Sequence, residues 1–377
     1  MKPSLSFYTN NPTPYQIDFF SALKNYFNLK VIYFTNRELD RTWDLKVTDP
    51  GYEVVTLNDN QLATLIQKKV VSFHFSFQII KELVNDKADF ILINGTYWTP
   101  NVLLSLFISK FRKKIIFYWN EPLFPINNRL KYYLQYFLLF PVRVCTNALM
   151  AIGQNGVDSY KKYGYKKPIY ILPYNIDISL FSKTNLDTYK LNDLTAVYKS
   201  NCEVVFLTSG SLIHRKGMDT VIKAFLKIKE NKNIRLLILG DGPDKEYLQQ
   251  LSAAASERIH FLGFKEKEEV PYFFALSDIF IFASRYDGWA LVINEAAAAD
   301  LPIISSNKVG AAMDNLINGY NGFTCDAEDV DEFYKCMNLL ITDKQKRKEI
   351  VLNMRPLKEL LSSDYNAKML YGICSLY

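Results

Sequence analysis

Cysteine and histidine are scarce in this chain of 377 residues, which contains five cysteines and three histidines. The cysteines are widely spaced and form no CxxC pair, which argues against a secreted disulfide framework and against a structural zinc site. No cluster of His, Cys and Asp has the spacing of metal ligands. We therefore expect a reducing, cytoplasmic setting and no metal site.

Long apolar runs are missing as well. No window reaches the ~20 apolar residues of a membrane-spanning helix. The apolar stretch after Lys2 is short and is broken by Pro12 and Pro14, which is not typical of a signal peptide. We therefore expect no membrane crossing, although attachment to a membrane surface stays open. The composition, 49% hydrophobic and 22% charged, is that of a globular protein and excludes a disordered one.

The net charge of +6 is unevenly distributed along the chain. Residues 1–180 contain 21 Lys and Arg against 13 Asp and Glu, a net charge of +8, whereas the remainder has a net charge of −2. No helix-turn-helix, zinc-finger or RNP-type pattern accompanies the positive charge, so we do not expect nucleic acid as a partner. An anionic membrane surface suits the first half better.

Short apolar runs alternate with amphipathic helical stretches along the whole sequence. Six runs in the first half and five in the second predict strands, among them Glu203–Thr208, Ile259–Leu262 and Ile279–Phe282. Strands that alternate with helices predict parallel sheets. The expected fold class is α/β, with two Rossmann-like parallel-sheet domains facing a cleft. We expect the domains at 1–178 and 179–360, and a terminal helix within 361–377 that returns to the first domain.

The loop after Ile279–Phe282 contains two carboxylates eight residues apart, Asp287 and Glu295. Gly288 allows the backbone to approach a ligand, and free amides at the start of the following helix can bind an anion. In this interpretation one carboxylate holds sugar hydroxyls and the other a ribose. The alternative is that Asp287 is only an N-terminal helix acid and that Glu295 lies on a solvated helix face.

A second loop, Gly210–Gly217, follows Glu203–Thr208 and contains the adjacent cations Arg215 and Lys216. A basic pair at a strand–helix turn suits a diphosphate. The Walker spacing GxxxxGK[ST] is absent, and an ordinary charged turn is the alternative.

Taken in order, five segments of the chain resemble the motifs of glycosyltransferase family 4, also called group 1. These are retaining enzymes that use nucleotide sugars and have the two-domain GT-B fold. The resemblance is strong over about residues 175–340 and weaker at Tyr8–Gln16. The segments that match the family pattern are Gly210–Gly217, Gly240–Pro243, Asp287–Glu295, Leu301–Ile304 and Gly319–Phe323.

The resemblance implies a role for particular residues. Lys216 would neutralise the donor diphosphate, Asp287 would contact the transferred sugar, and Glu295 would bind the ribose. Further donor contacts are expected from Gly288, Trp289, Ala290 and Leu291, from Gly210 and Ser211, from Gly263 and Phe264 near the nucleobase, and from Asn11 in the first loop.

The sequence departs from the family pattern at several positions. Ser211 stands where arginine is common, so Arg215 is expected to supply that charge. Asp287 replaces the usual glutamate and is one methylene shorter. The first loop, which contains Asn11, lacks the Gly-Gly of many members. A histidine is common where this chain has Tyr118–Glu121, which makes Glu121 a candidate catalytic residue, with a structural loop acid as the alternative.

The resemblance implies a hexosyltransferase-type enzyme that retains configuration and needs neither metal nor cofactor. It implies a nucleotide-sugar donor and a glycan or polyprenyl-diphosphate-linked acceptor, in bacterial surface polysaccharide, lipopolysaccharide O-antigen or capsule biosynthesis. The first domain would then be the acceptor and membrane side and the second the donor side, at the inner face of the cytoplasmic membrane. Two alternatives remain, a catalytically degenerate scaffold that binds a nucleotide sugar and a sugar-nucleotide 2-epimerase.

One segment of the first domain bears on membrane attachment. Within residues 127–140, apolar residues recur at the spacing of one helix face, namely Leu130, Tyr133, Leu134, Phe137 and Leu138. Such a stripe is typical of a helix packed on a core. The alternative is an interfacial helix with the basic flanks Arg129 and Lys131.

Overall fold

The computed structural model describes residues 2–35, 50–58, 61–67, 70, 73–228 and 233–377. The chain divides into two compact units, one formed by Met1–Pro173 with Ser363–Tyr377 and the other by Tyr174–Ser362. The N-terminal stretch of the first unit thus ends at Pro173, before the predicted boundary at residue 178. The residues that follow belong to the second unit, where a β-bridge joins Ile176 to Ser362.

The first unit is built on a sheet of seven parallel strands, in the spatial order β3-β2-β1-β4-β5-β6-β7. The strands are β1 (Ser4–Thr9), β2 (Asn28–Tyr33), β3 (Glu53–Thr56), β4 (Phe90–Ile93), β5 (Ile115–Asn120), β6 (Ala148–Ala151) and β7 (Ile169–Ile171). The central strands are continuous apolar runs because both faces of a parallel sheet are covered. For example, all four residues of β4 are buried.

Helices follow most of these strands. They are α1 (Pro14–Leu23), α2 (Gln61–Gln67), α3 (Gln78–Asn85), α4 (Pro100–Phe111), α5 (Arg129–Leu138), α6 (Phe140–Cys145) and α7 (Gly153–Lys162). The start of α1 is well defined because the Thr13 side chain accepts a hydrogen bond from the backbone N–H of Gln16 and Pro14 occupies the first turn. Among the helices in the described ranges, none combines the length and the hydropathy that a bilayer crossing requires.

The apolar stripe predicted within residues 127–140 lies largely on α5, and it is exposed. Leu130 is 80% exposed and Phe137 is 70% exposed, whereas the polar Gln135 is 7% exposed. The prediction of a core-packed stripe is therefore wrong. The apolar face of α5 points away from the core of its unit.

The second unit has six parallel strands in the spatial order β10-β9-β8-β11-β12-β13. They are β8 (Val204–Ser209), β9 (Ile234–Leu239), β10 (Ile259–Gly263), β11 (Ile279–Phe282), β12 (Ile303–Ser306) and β13 (Phe323–Cys325). The helices are α8 (Thr188–Tyr198), α9 (Met218–Leu226), α10 (Lys245–Ser252), α11 (Val270–Leu276), α12 (Leu291–Ala298), α13 (Gly310–Asn315), α14 (Val330–Thr342) and α15 (Lys344–Leu360). The prediction of two parallel-sheet α/β domains is confirmed.

The C-terminal helix α16 (Ser363–Cys374) packs against α1 of the first unit. The Tyr371 ring lies 5.9 Å from the Tyr26 ring and 5.7 Å from the Phe27 ring, measured between centroids. Asp364 lies inside the first turn of this helix and accepts a hydrogen bond from the Tyr26 hydroxyl at 3.3 Å.

Candidate functional site

The strand order of the second unit reverses between β8 and β11. These strands are neighbours in the sheet, while β9 continues the sheet on the other side of β8. Open α/β sheets bind ligands at such a reversal, beyond the carboxyl ends of the strands. The loops that leave β8 and β11 contain Gly210–Gly217 and Asp287, so the fold brings the two strongest sequence motifs to one place.

Lys216 and Asp287 form the centre of this place. The Lys216 ammonium donates to Oδ2 of Asp287 at 2.5 Å, and Nη1 of Arg215 lies 3.7 Å from the same oxygen. The side chains of Lys216 and Asp287 are 17% and 13% exposed, so water and salt screen their charges only in part. A phosphate that enters beside the two cations competes with the Asp287 carboxylate for them.

The turn that carries the cations is bonded to the loop after β11. The backbone N–H of Arg285 donates to the carbonyl of Arg215 at 2.8 Å, and the Ser284 hydroxyl donates to the same carbonyl at 3.0 Å. In return, the Arg215 guanidinium donates to the carbonyl of Tyr286 at 2.7 Å. These bonds set the separation between the cations and Asp287.

Gly217 ends this turn in a left-handed conformation, with φ at 66°. A Cβ atom at this position would lie 1.9 Å from the carbonyl oxygen of Ala283. Only glycine allows the turn to approach the end of β11 so closely, which explains the Lys-Gly order of the motif in physical terms.

The segment from Asp287 to Trp289 rests on the start of α13. The N–H of Gly310 donates to the carbonyl of Asp287 at 3.0 Å, and the N–H of Ala311 donates to the carbonyl of Trp289 at 2.9 Å. A Cβ on Gly310 would lie 2.2 Å from the carbonyl oxygen of Gly288. The loop is therefore supported by its backbone.

Glu295 lies on α12 and is 2% exposed, so the alternative that placed it on a solvated face is wrong. The helix begins at Leu291 after Ala290, which adopts a left-handed φ of 70°. Asp287 lies outside the first turn of α12, and its charge is directed to Lys216. The alternative of an N-terminal helix acid is therefore not what the structure has.

Three glycines meet at the carboxyl ends of β8, β9 and β10. The N–H of Gly240 donates to the carbonyl of Gly263 at 2.9 Å, and a Cβ on Gly240 would lie 2.0 Å from the carbonyl oxygen of Gly210. Ser211 and Phe264, which follow two of these glycines, are exposed. The residues predicted for the diphosphate and for the nucleobase thus share one edge of the sheet.

The two candidate residues of the first unit lie at the corresponding edge of their own sheet. Asn11 follows β1 and is 6% exposed, and Glu121 follows β5 and is exposed. The backbone N–H of Glu121 donates to the Asn120 side chain at 2.8 Å, and Asn120 in turn donates to the carbonyl of Gly95 at 2.9 Å. This network orders the loop that carries Glu121.

Sequence reasoning missed one ion pair that supports the site. Arg285, next to the predicted motif, donates to both carboxylate oxygens of Asp219 in the first turn of α9. Burial raises the pKa of Asp219, but hydrogen bonds and charges from Arg285 and Lys223 outweigh burial and lower it to about 2. The only signal in the sequence was an acid in a first helical turn, which is too common to indicate a partner 66 residues away.

Asp329, which lies outside this site, has a structural role. Asp329 caps α14, where its carboxylate accepts from the N–H groups of Asp331 and Glu332 at 2.9 Å each. In the ranges with described structure, no group of three His, Cys, Asp or Glu side chains is placed to hold a metal ion.

The part of the chain that contains Lys216 and Asp287 is similar in sequence to known proteins. Residues 196–355 match the family described as Glycosyl transferases group 1. An uncharacterized glycosyltransferase of Methanocaldococcus jannaschii is 28% identical over 49% of this chain and 46% of its own length. Alpha-monoglucosyldiacylglycerol synthase of Acholeplasma laidlawii is 34% identical over 36% of this chain and 35% of its own length. The chain thus spans less than half of either relative.

Solved structures of other proteins superpose on nearly the whole chain. Anabaena Alr3699/HepE in complex with UDP superposes with a TM-score of 0.78 at 17% identity, and covers 99% of this chain and 100% of its own. WaaG, a glycosyltransferase involved in lipopolysaccharide biosynthesis, has a TM-score of 0.69 at 15% identity, with 98% and 99% covered. At these identities the similarity concerns the fold. Residues 196–355 thus resemble the group 1 glycosyl transferases, and the chain as a whole has the fold of the GT-B glycosyltransferases.

Proposed function

We propose that this protein is a retaining glycosyltransferase that transfers a sugar from a nucleotide-sugar donor to a glycan acceptor without a metal ion. The observation that carries the proposal is the Lys216–Asp287 pair beside Arg215, at the point where the strand order of the second unit reverses. Two cations suit a diphosphate, and the nearby carboxylate suits sugar hydroxyls. The neighbouring Glu295 is the carboxylate that we assign to the ribose.

In the proposed reaction the bond between the anomeric carbon and the donor phosphate breaks while the acceptor oxygen attacks on the same face. The leaving phosphate accepts the acceptor's proton and departs with the bonding electron pair. Lys216 and Arg215 stabilise the negative charge that develops on it, so the protein contributes mainly positioning and electrostatic stabilisation. Asp287 holds the sugar, and Glu121 of the first unit is proposed to act at the acceptor side.

The acceptor and the setting are further parts of the proposal. Similar proteins include enzymes named for glycolipids, such as alpha-monoglucosyldiacylglycerol synthase of Acholeplasma laidlawii. WaaG, with a similar fold, is named for lipopolysaccharide biosynthesis. We propose a lipid-linked glycan acceptor at the cytoplasmic face of a bacterial membrane, in surface polysaccharide biosynthesis.

The first experiment measures thermal stabilisation of the protein by UDP-, GDP-, dTDP- and CMP-sugars in EDTA. A ligand that binds the native state raises the melting temperature by mass action. We expect one donor class to stabilise the wild type and to fail with Glu295→Ala. Glu349→Ala, which alters an exposed carboxylate on α15, is the control and should respond like the wild type.

Transfer is then measured with that donor and a membrane extract as the source of acceptor. A product with the donor's anomeric configuration, formed in EDTA, supports the proposal. Donor binding without transfer or hydrolysis would point to a scaffold, and conversion of the donor sugar without any acceptor would point to an epimerase. Either outcome would overturn the proposed function.

A further inference from the structure

Helix α5 has its apolar and polar positions reversed relative to an ordinary surface helix. Surface helices of soluble proteins bury an apolar stripe and expose polar residues. In α5, Leu130 is 80% exposed, Phe137 is 70% exposed, and Tyr133 and Leu134 are each 59% exposed. Gln135 on the opposite side is 7% exposed. This helix presents a contiguous apolar face to its surroundings.

Specific contacts hold α5 in this orientation. The Tyr132 ring stacks on the Tyr163 ring at a centroid distance of 4.8 Å, and the Tyr132 hydroxyl donates to the carbonyl of Lys162 at 3.0 Å. The Arg143 guanidinium lies 3.8 Å from the centroid of the Tyr136 ring and donates to the carbonyls of Tyr136 and Tyr163. The inward positions are therefore filled, and the apolar face cannot turn inward without breaking these contacts.

The two helices next to α5 also leave large apolar side chains in solvent. Helix α6 packs against both α4 and α5. On α6, Phe140 is 53% exposed and Val144 is 45% exposed, and on α4, Phe107 is 50% exposed and Phe111 is 88% exposed. In each pair the residues are four apart and lie on one helix face. We call the exposed apolar residues of α4, α5 and α6 the apolar face.

Positive charge is concentrated in the same part of the chain. Residues 101–172 contain eleven Lys and Arg but only two acidic residues, Glu121 and Asp158, a net charge of +9. Arg129 and Lys131 flank the start of α5 and are exposed. Burial and the neighbouring charge of Lys110 lower the pKa of Lys167, which donates to the carbonyl of Val144 at the end of α6. Cations therefore gather beside the apolar face.

We propose that the apolar face docks the first unit on an anionic lipid bilayer, with α5 lying in the plane of the interface. A helix with aromatic and aliphatic residues on one side and basic flanks partitions to the boundary between headgroups and acyl chains. Anionic lipids attract the surrounding Lys and Arg. A second copy of this chain fits less well, because two segments of +9 repel each other. The inference rests on the proposed function and deepens it, because an enzyme with a lipid-linked acceptor has to work at a membrane surface.

The test is co-sedimentation of the full chain with vesicles of phosphatidylcholine alone or mixed with phosphatidylglycerol, without donor or acceptor. We expect binding to the anionic vesicles that weakens at high salt. The double variant Leu134→Ser/Phe137→Ser should lower the partition coefficient by about tenfold or more. Arg129→Gln/Lys131→Gln should lower it by roughly 25-fold, at about fivefold for each basic residue.

Matched controls alter equally exposed positions in the second unit. Tyr189→Ser/Val197→Ser changes two exposed apolar residues of α8, and Lys335→Gln/Lys344→Gln removes two exposed charges. Both should bind vesicles like the wild type, and circular dichroism with thermal melts checks that every variant is folded.

Equal binding of the α5 variants and the wild type would overturn the inference. A second result would also overturn it. In that result the wild type does not bind vesicles but forms a dimer in sedimentation velocity, and Leu134→Ser/Phe137→Ser abolishes the dimer. Because no donor is present, failure here leaves the proposed transferase reaction untouched. Conversely, vesicle binding by a protein that no nucleotide sugar stabilises would count against the proposed function alone.

Discussion

Arg285 binds Asp219 through two hydrogen bonds, from Nη1 to Oδ1 at 2.9 Å and from Nη2 to Oδ2 at 3.0 Å. The same guanidinium donates to the carbonyl of His214 at 2.6 Å. Arg285 therefore connects the loop that contains Asp287 to both ends of the turn that contains Lys216. The planar fork of arginine is needed for this geometry, because the lysine ammonium is a point charge.

We expect Arg285→Lys to weaken donor binding, because a lysine ammonium cannot reproduce the two-pronged pairing with both Asp219 oxygens while it also donates to the His214 carbonyl. The donor KM should rise by about tenfold, the scale of losing one charge-assisted hydrogen bond. Steady-state kinetics with varied donor measure this. Arg258→Lys is the matched control, since Arg258 contacts the carbonyl of Ile228 and the Phe225 ring away from the site. An equal rise of KM in both variants would contradict the role of Arg285.

The Asp219 carboxylate makes stability depend on pH. Its pKa falls from 3.8 to about 2 in the folded protein, so its stabilising contribution is present above pH 4 and is lost as the pH falls towards 2. We expect Asp219→Asn to lower the free energy of unfolding by roughly 2 kcal/mol at pH 7. The difference from wild type should shrink between pH 4 and pH 2 in denaturant titrations. A difference that stays constant over this interval would exclude the ion pair as its source.

Lys216→Met tests the charge that we assign to the leaving phosphate. Methionine keeps most of the apolar stem and removes the ammonium, so the fold should survive while turnover falls by about a hundredfold or more. Initial rates at saturating donor measure the change. Lys344→Met removes a charge from an exposed lysine of the same unit and should leave the rate unchanged. Wild-type turnover in Lys216→Met would remove Lys216 from the proposed site.

Gly310→Ala tests the support of the loop between Asp287 and Trp289. The added methyl group would lie 2.2 Å from the carbonyl oxygen of Gly288, which is backbone and must move. We expect a loss of about 2 kcal/mol or more in the free energy of unfolding, together with weaker donor stabilisation. Gly372→Ala on α16 is the control because its new methyl group meets no atom within 4 Å, and it should be neutral or stabilising. Similar melting temperatures for the two variants would contradict the close approach.

Most strands that the sequence revealed are central strands buried on both faces, and the edge strand at Ile259–Leu262 was found as well. Ile279–Phe282 has the predicted bounds, because a central strand is an uninterrupted apolar run. The two strands that were missed are β3 and β13. Each lies at the edge of its sheet and has a single neighbouring strand. Edge strands are short and only half covered. The pattern of β3, with exposed residues at both ends, resembles a loop.

In the candidate site, too, some residues could be predicted from the sequence and others could not. The sequence motifs predicted Lys216, Asp287 and Glu295, because each lies in the loop or the helix that comes next after a strand. The Arg285–Asp219 pair joins two elements that only the tertiary structure brings together. The exposed stripe of α5 was ambiguous for a different reason. Helical periodicity identifies which residues share a face, and burial depends on what the rest of the chain places against it.

The first unit is assembled from two separated stretches of chain, and this affects the order of events on the ribosome. Helix α16, which packs against α1, is synthesised only after Tyr174–Ser362 has been made. At a translation rate of about 5–20 residues per second, that interval lasts on the order of 10 to 40 s. During this time Phe27 and its neighbours on the first unit lack their final cover, and at the end of it the second unit has all of its own sequence. The second unit can therefore finish folding first, and the unit whose synthesis begins first is completed last.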